Sequence, residues 1–230
     1  MTTIKDYLEF WDEDLIKIDL KKDIKNLLTP PTVFFLSQYG FPSATRIYKE
    51  RKAFLEQTAV LPDIFLNPRI IDRNIKRQHP YFEFLKKISV KLIFEEQEFF
   101  RIGMEADRDI VIKPYSGNIH YIDYTSYADL WHDESPPPFA QNLFLNSDVE
   151  KLGLCLTAEF LARQKSIFSR KKIVSAVELN NTALHREAAD EIKQITNALE
   201  SELKAIDPLV FEISDSYWVY YFLTARYPDG

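Results

Sequence analysis

Phe99-Phe100-Arg101-Ile102-Gly103, Asp109-Ile110-Val111-Ile112-Lys113 and Ile119-His120-Tyr121-Ile122-Asp123 are the stretches that decide the fold of this chain. Beta-branched and aromatic residues dominate all three, which is the composition of strands. Pro114-Tyr115-Ser116-Gly117-Asn118 joins the second to the third, and Gly117-Asn118 supplies hairpin turn chemistry. Connections this short make the strands antiparallel neighbours.

Downstream, Ser126 to Gln141 contains Trp131-His132-Asp133-Glu134 and the run Pro136-Pro137-Pro138. Consecutive prolines cannot pair within a central strand, so this reads as an exposed loop. Phe144-Leu145-Asn146-Ser147-Asp148 then opens a helix expected to end near Phe160. Ser147 with Glu150 matches a capping box, and Val149, Leu152, Leu156 and Phe160 recur at helical spacing. Ile167 to Asn180 reads as a connection to the longest helix, Ala183 to Ile206. There Leu184, Ala188, Ile192, Ile195, Leu199, Leu203 and Ile206 form one apolar stripe, ended by Asp207-Pro208. Ser214 to Ala225 fits strand or helix on propensity alone, and Ser214 or Asp215 ahead of Tyr217-Trp218-Val219 favours a capped helix.

Upstream, Ile4 to Trp11 and Asp23 to Leu28 read as short helices. Pro31 suits the first position of a helix through Ser37, with Gly40 as its stop. Ala53 to Leu66 and Phe82 to Phe94 are read as short strands; the mixed, basic Arg69 to Arg77 segment lies between them, and the region fits either core or insertion. With a central antiparallel sheet and helices packed around it, the fold class is α+β. The expected organisation is a single domain, 1–230, with 181–230 as a C-terminal helical extension.

Composition narrows the function. The chain has 230 residues, 46% hydrophobic and 14% aromatic, so it is not disordered. It is long enough to bury roughly 70% of its unfolded surface. A net charge of -6 disfavours nucleic acid as partner and suits a basic one. The N-terminus shows no signal-peptide pattern and no apolar run is long enough to span a bilayer, so the chain reads as cytoplasmic and without a membrane partner. Cys155 is the only cysteine, flanked by Leu154 and Leu156, and reads as a small buried hydrophobe.

Catalytic signatures are missing. His79, His120, His132 and His185 form no i,i+4 pair, and no HExxH, GxSxG, P-loop or GxGxxG occurs. Carboxylate pairs such as Glu95-Glu96, or Asp107 with Asp109, read as solvated strand ends. No catalytic, cofactor or metal residues are therefore assigned, and the function is argued as binding.

Three groups of residues resemble one family. Ile102-Gly103 with Ile110-Val111-Ile112 and Gly117-Asn118-Ile119-His120-Tyr121-Ile122-Asp123 form the first. Phe144-Leu145-Asn146-Ser147 with Cys155-Leu156 and Phe160 form the second, and Leu203-Lys204-Ala205-Ile206-Asp207-Pro208 with Trp218 the third. In this order they resemble the SUKH superfamily, the Smi/Knr-type proteins, and within it the fourth subgroup. Phe35-Leu36-Ser37-Gln38-Tyr39-Gly40-Phe41-Pro42 resembles an element near the start of those domains. Asp148 stands where the family has a second serine or small residue.

The resemblance implies a bacterial immunity protein that binds a cognate polymorphic toxin domain, such as a basic nuclease or deaminase, and occludes it as a monomer without catalysis. The alternative is a general interaction or regulatory module of the same fold. For either, the acids bordering the central strands suggest a negative face that steers a basic partner, and nearby aromatics supply anchors. The candidate partner-binding residues are Glu105, Asp107, Asp109, Asp123, Tyr124, Tyr127, Trp131, Asp133 and Glu134.

Overall fold

The N-terminal elements are built on side-chain caps. The computed structural model describes residues 1–20, 22–42, 49–50, 53–54, 56–57, 100–105, 108–123 and 141–226. Thr3 and Asp6 form a reciprocal capping box on helix α1 (Ile4–Trp11), which satisfies two amides left open at the helix start. Strand β1 (Leu15–Ile16), helix α2 (Lys22–Lys25) and helix α3 (Pro30–Gln38) follow. Helix α2 is shorter than the 23–28 expected. Its exit is held by other partners: the Leu27 carbonyl accepts from the Tyr115 amide at 2.9 Å. Thr29 caps α3, and prolines fill its first positions, where a missing amide proton has no helical partner to lose. Gly40, at φ 77°, ends that helix. Strand β2 (Phe41–Pro42) then returns to pair with β1.

The strand expected from Ala53 is corrected at the residues described there. Ala53, Phe54, Glu56 and Gln57 are helical, in line with the helix preference of Ala, Glu and Gln. Phe54 is buried beneath the guanidinium groups of Arg163 and Arg170. The remainder of that expected strand, the Arg69 to Arg77 segment, the Phe82 to Phe94 strand and the proline loop before residue 141 lie outside the described residues.

The central runs form one antiparallel sheet. Strands β3 (Phe100–Glu105), β4 (Arg108–Ile112), β5 (Ile119–Asp123) and β6 (Gln141–Asn146) lie in the order β3-β4-β5-β6. Ile110, Val111 and Ile112 are each 0% exposed, so both faces of β4 are covered. That explains an unbroken apolar run where a half-wet antiparallel strand would alternate. The outer edge of β6 is closed by the C-terminal segment: the Phe144 amide donates to the Asp215 carbonyl, and Phe144 bridges Ser216 in parallel.

Three expectations about the next helix are corrected. Residues 144–146 belong to β6, and helix α4 (Val149–Glu178) begins after Asp148. Asp148, not Ser147, is the cap, accepting from the Lys151 amide at 2.8 Å. Ser147 is engaged elsewhere, its amide donating to Asp207. Helix α4 also runs 30 residues and does not stop near Phe160. Its second half buries Ser166, Ser169 and Ala176. Those side chains are too small and polar to register as an apolar stripe, yet they let helix α5 (Thr182–Ile206) lie close alongside. Ser169 and Lys172 of α4 both reach Glu191 of α5.

Along the α5 stripe, Ala188, Leu199, Leu203 and Ile206 are buried while Ile195 is half-buried. Short helix α6 (Leu209–Glu212) and helix α7 (Tyr217–Arg226) complete the order. Helix α7 packs beside α5. The core joins Tyr7 and Trp11 of α1, Phe35 of α3, Ile110 and Leu145 of the sheet, Leu152 of α4, Leu203 of α5 and Trp218 of α7. At Gly153 a Cβ would meet Phe35 and Tyr7 ring carbons at 3.0 Å, so a larger residue there would make both rings shift by a few tenths of an ångström, and glycine lets α1 and α3 pack closely on α4. The Trp11 indole donates to Thr157 Oγ1 at 2.9 Å. The fold is α+β, with C-terminal helices around the antiparallel sheet.

Candidate functional site

Ile110, Val111 and Ile112 are covered on both faces of β4, so the middle of that strand is closed to a partner and the ends of the sheet are the places to look. Strand register builds one of those ends. Glu105 pairs with Arg108, Arg108 with Asp123, and Asp123 with Gln141. These residues therefore share the terminal row, and Asp109 lies one row inside it, opposite Met104 and Ile122. Short antiparallel connections bring Glu105 and Asp123 together although 18 positions separate them in the chain. Arg108 stands between them, so the row alternates in sign. Asp107, Tyr124, Tyr127, Trp131, Asp133 and Glu134 lie outside the described residues.

The motif residues meet elsewhere, in a buried polar cluster where β6, α4, α5 and α7 converge. Asp207, at the end of α5, is 0% exposed. Its Oδ2 accepts from the Ser147 amide at 2.8 Å and from Asn146 Nδ2 at 3.1 Å. Lys151 Nζ lies 3.8 Å from its Oδ1. Asn146 also donates to Cys155 Sγ and accepts from the Trp218 indole at 3.3 Å. One asparagine thus ties the sheet to α4, α5 and α7. Asp207 Oδ2, Asn146 and the Trp218 indole are all engaged within the fold, and Asp207 Oδ1 is buried with only Lys151 Nζ facing it among the described residues, so the cluster reads as a structural hub.

The remaining reactive groups have structural surroundings too. Burial pushes the Cys155 thiol far above its ordinary range, so it stays protonated and is a poor nucleophile. Tyr7 is likewise raised by burial, and its hydroxyl donates to the Gly40 carbonyl at 2.6 Å. His120 lies edge-on to Phe144, with ring centroids 6.0 Å apart, and His185 is exposed on α5. His79 and His132 lie outside the described residues. Among the described residues no three His, Cys, Asp or Glu side chains are placed to hold a metal, and no helix is long and apolar enough to cross a membrane.

Sequence reasoning missed the hub as a unit. Asn146, Asp207 and Trp218 stood in separate motifs, and only their shared polarity within apolar surroundings hinted at a common burial. It also passed over Tyr115, a turn residue whose backbone and exposure are unusual.

Among known proteins, the family model described as SUKH-4 immunity protein matches residues 21–224. No curated protein and no solved structure gives a match.

Proposed function

We propose, from the premise that the chain belongs to the SUKH-4 immunity protein family, that it binds one cognate toxin domain and occludes it without catalysis. Membership in that family carries an immunity role in toxin systems. The match over residues 21–224 is the observation on which this reading rests. Binding, rather than chemistry, is favoured because the polar hub and Cys155 are committed to the fold. We place the partner contact at the sheet end that carries Glu105, Asp109 and Asp123, and retain Asp107, Tyr124, Tyr127, Trp131, Asp133 and Glu134 as further candidate contacts. A basic nuclease-like or deaminase-like domain is the partner that such a surface steers best. The chain acts as a cytoplasmic monomer in this reading.

Co-expression tests it. Cells carrying the toxin domain encoded beside this chain should grow only when the chain is also produced, and the two should purify together. Cell death despite full production of the folded chain would end the proposal.

A further inference from the structure

Tyr115 combines three features that folding alone does not explain. Its φ is 63°, a left-handed conformation that a bulky L-residue adopts only under strain. Its side chain is 72% exposed, so burial returns nothing for that strain. Among the described residues its ring and hydroxyl have no aromatic or hydrogen-bonded neighbour. Asparagine or glycine would fit this position of the turn at lower cost.

The turn beneath it is held firmly. The Tyr115 amide donates to the Leu27 carbonyl at 2.9 Å, and the Gly117 amide to the Lys113 carbonyl at 3.0 Å. A Cβ at Gly117 would come 3.2 Å from Thr29 Oγ1, so the turn sits pressed on the start of α3. An aromatic ring is therefore carried into solvent at the tip of a turn whose backbone cannot easily yield. Strain of this kind persists where the surroundings over-determine it, and it collects at ligand contacts. Tyrosine is also among the residues that dominate interface energetics, because it offers much contact area with few rotamers to freeze.

We propose that Tyr115 is an aromatic anchor for the toxin domain, its ring entering an apolar cleft on that partner from the tip of the β4–β5 turn. The inference rests on the immunity reading above and adds a contact at the opposite end of β4 from the terminal row that holds Glu105 and Asp123. The tip of a turn suits a concave partner surface, and enzyme active sites are concave, which makes insertion a route to occlusion.

The test uses the full chain and a catalytically inactive form of the toxin domain encoded beside it, with calorimetry for affinity and thermal unfolding for stability. Tyr115→Asn should raise the melting midpoint by roughly 2–4 °C, the shift expected when a strained residue is relieved in a chain of this size. The same substitution should weaken binding about thirtyfold, as loss of a hot-spot aromatic does. Tyr115→Gly repeats the test with the least constrained residue at that φ, and Tyr115→Phe should bind within about fivefold of the original because the ring carries the contact. If the original chain binds and Tyr115→Asn binds equally well, the anchor is refuted while the immunity reading stands. If the original chain does not bind the toxin domain at all, the immunity reading itself fails. If Tyr115→Asn changes only self-association in sedimentation, the ring serves a second copy of this chain and the proposal is likewise overturned.

Discussion

Replacing Asp207 with alanine should be among the most damaging single changes outside the apolar core. The carboxylate is fully buried and takes hydrogen bonds from the Ser147 amide and Asn146 Nδ2, with Lys151 Nζ 3.8 Å away. Removing it leaves the Asn146 donor and the Ser147 amide without this acceptor, beside a core that admits little water. Each buried polar group left unpaired costs about 1–3 kcal/mol. Lys151 is about a third exposed and can turn to solvent, so its share is small. The two groups sum to about 2–6 kcal/mol, or a fall in melting midpoint of roughly 4–24 °C for a chain of this size. Urea and thermal unfolding followed by circular dichroism measure it. A double-mutant cycle with Asn146→Ala should show coupling of at least about 1 kcal/mol, because one hydrogen bond joins the pair. A loss below about 1 kcal/mol with additive behaviour would show that the hub does not tie the sheet to the C-terminal helices.

Other outcomes follow from burial and charge. Leu203→Ala, at a fully buried position of α5, should cost about 2–5 kcal/mol. Ile195→Ala should cost only about 1 kcal/mol because the side chain is half-buried; equal losses at the two positions in urea titrations would contradict the packing described. Cys155 should stay unreactive toward a thiol reagent in the native chain and react fully on unfolding, as its burial and raised thiol require. Cys155→Ala should keep protection intact apart from a stability loss. Reversing Glu105 and Asp123 to Lys should slow association with the toxin domain, in a salt-dependent way, more than it speeds dissociation. A salt-independent on-rate in surface plasmon resonance would separate recognition from Glu105 and Asp123.

The sequence disclosed most of the sheet and part of the helical frame, for identifiable reasons. Strong beta-branched runs with a Gly-Asn turn marked β3, β4 and β5 as antiparallel neighbours. The four-three spacing of leucines and isoleucines marked α5 almost to its ends. Helix α4 was read too short because its second half packs through Ser166, Ser169 and Ala176, which no apolar periodicity reveals. Strand β6 was read as the opening of a helix because Phe144 and Leu145 carry no alternation when both are buried. The shift of the cap from Ser147 to Asp148 is legible only in space, where Asp207 claims the Ser147 amide. The acidic residues were visible as a list, but their gathering into one terminal row depends on register. Arg108 between Glu105 and Asp123 was invisible as a neighbour of both.

The most direct test of the account is a stoichiometric titration of toxin activity with this chain. The active toxin domain is assayed on its own substrate while the purified chain is added in steps. Binding and occlusion predict that activity falls linearly and vanishes near one chain per toxin domain, with a complex of that ratio in sedimentation. Loss of toxin activity at a small fraction of equivalence would reveal a catalytic protector, and undiminished activity at saturating chain would remove the immunity reading altogether.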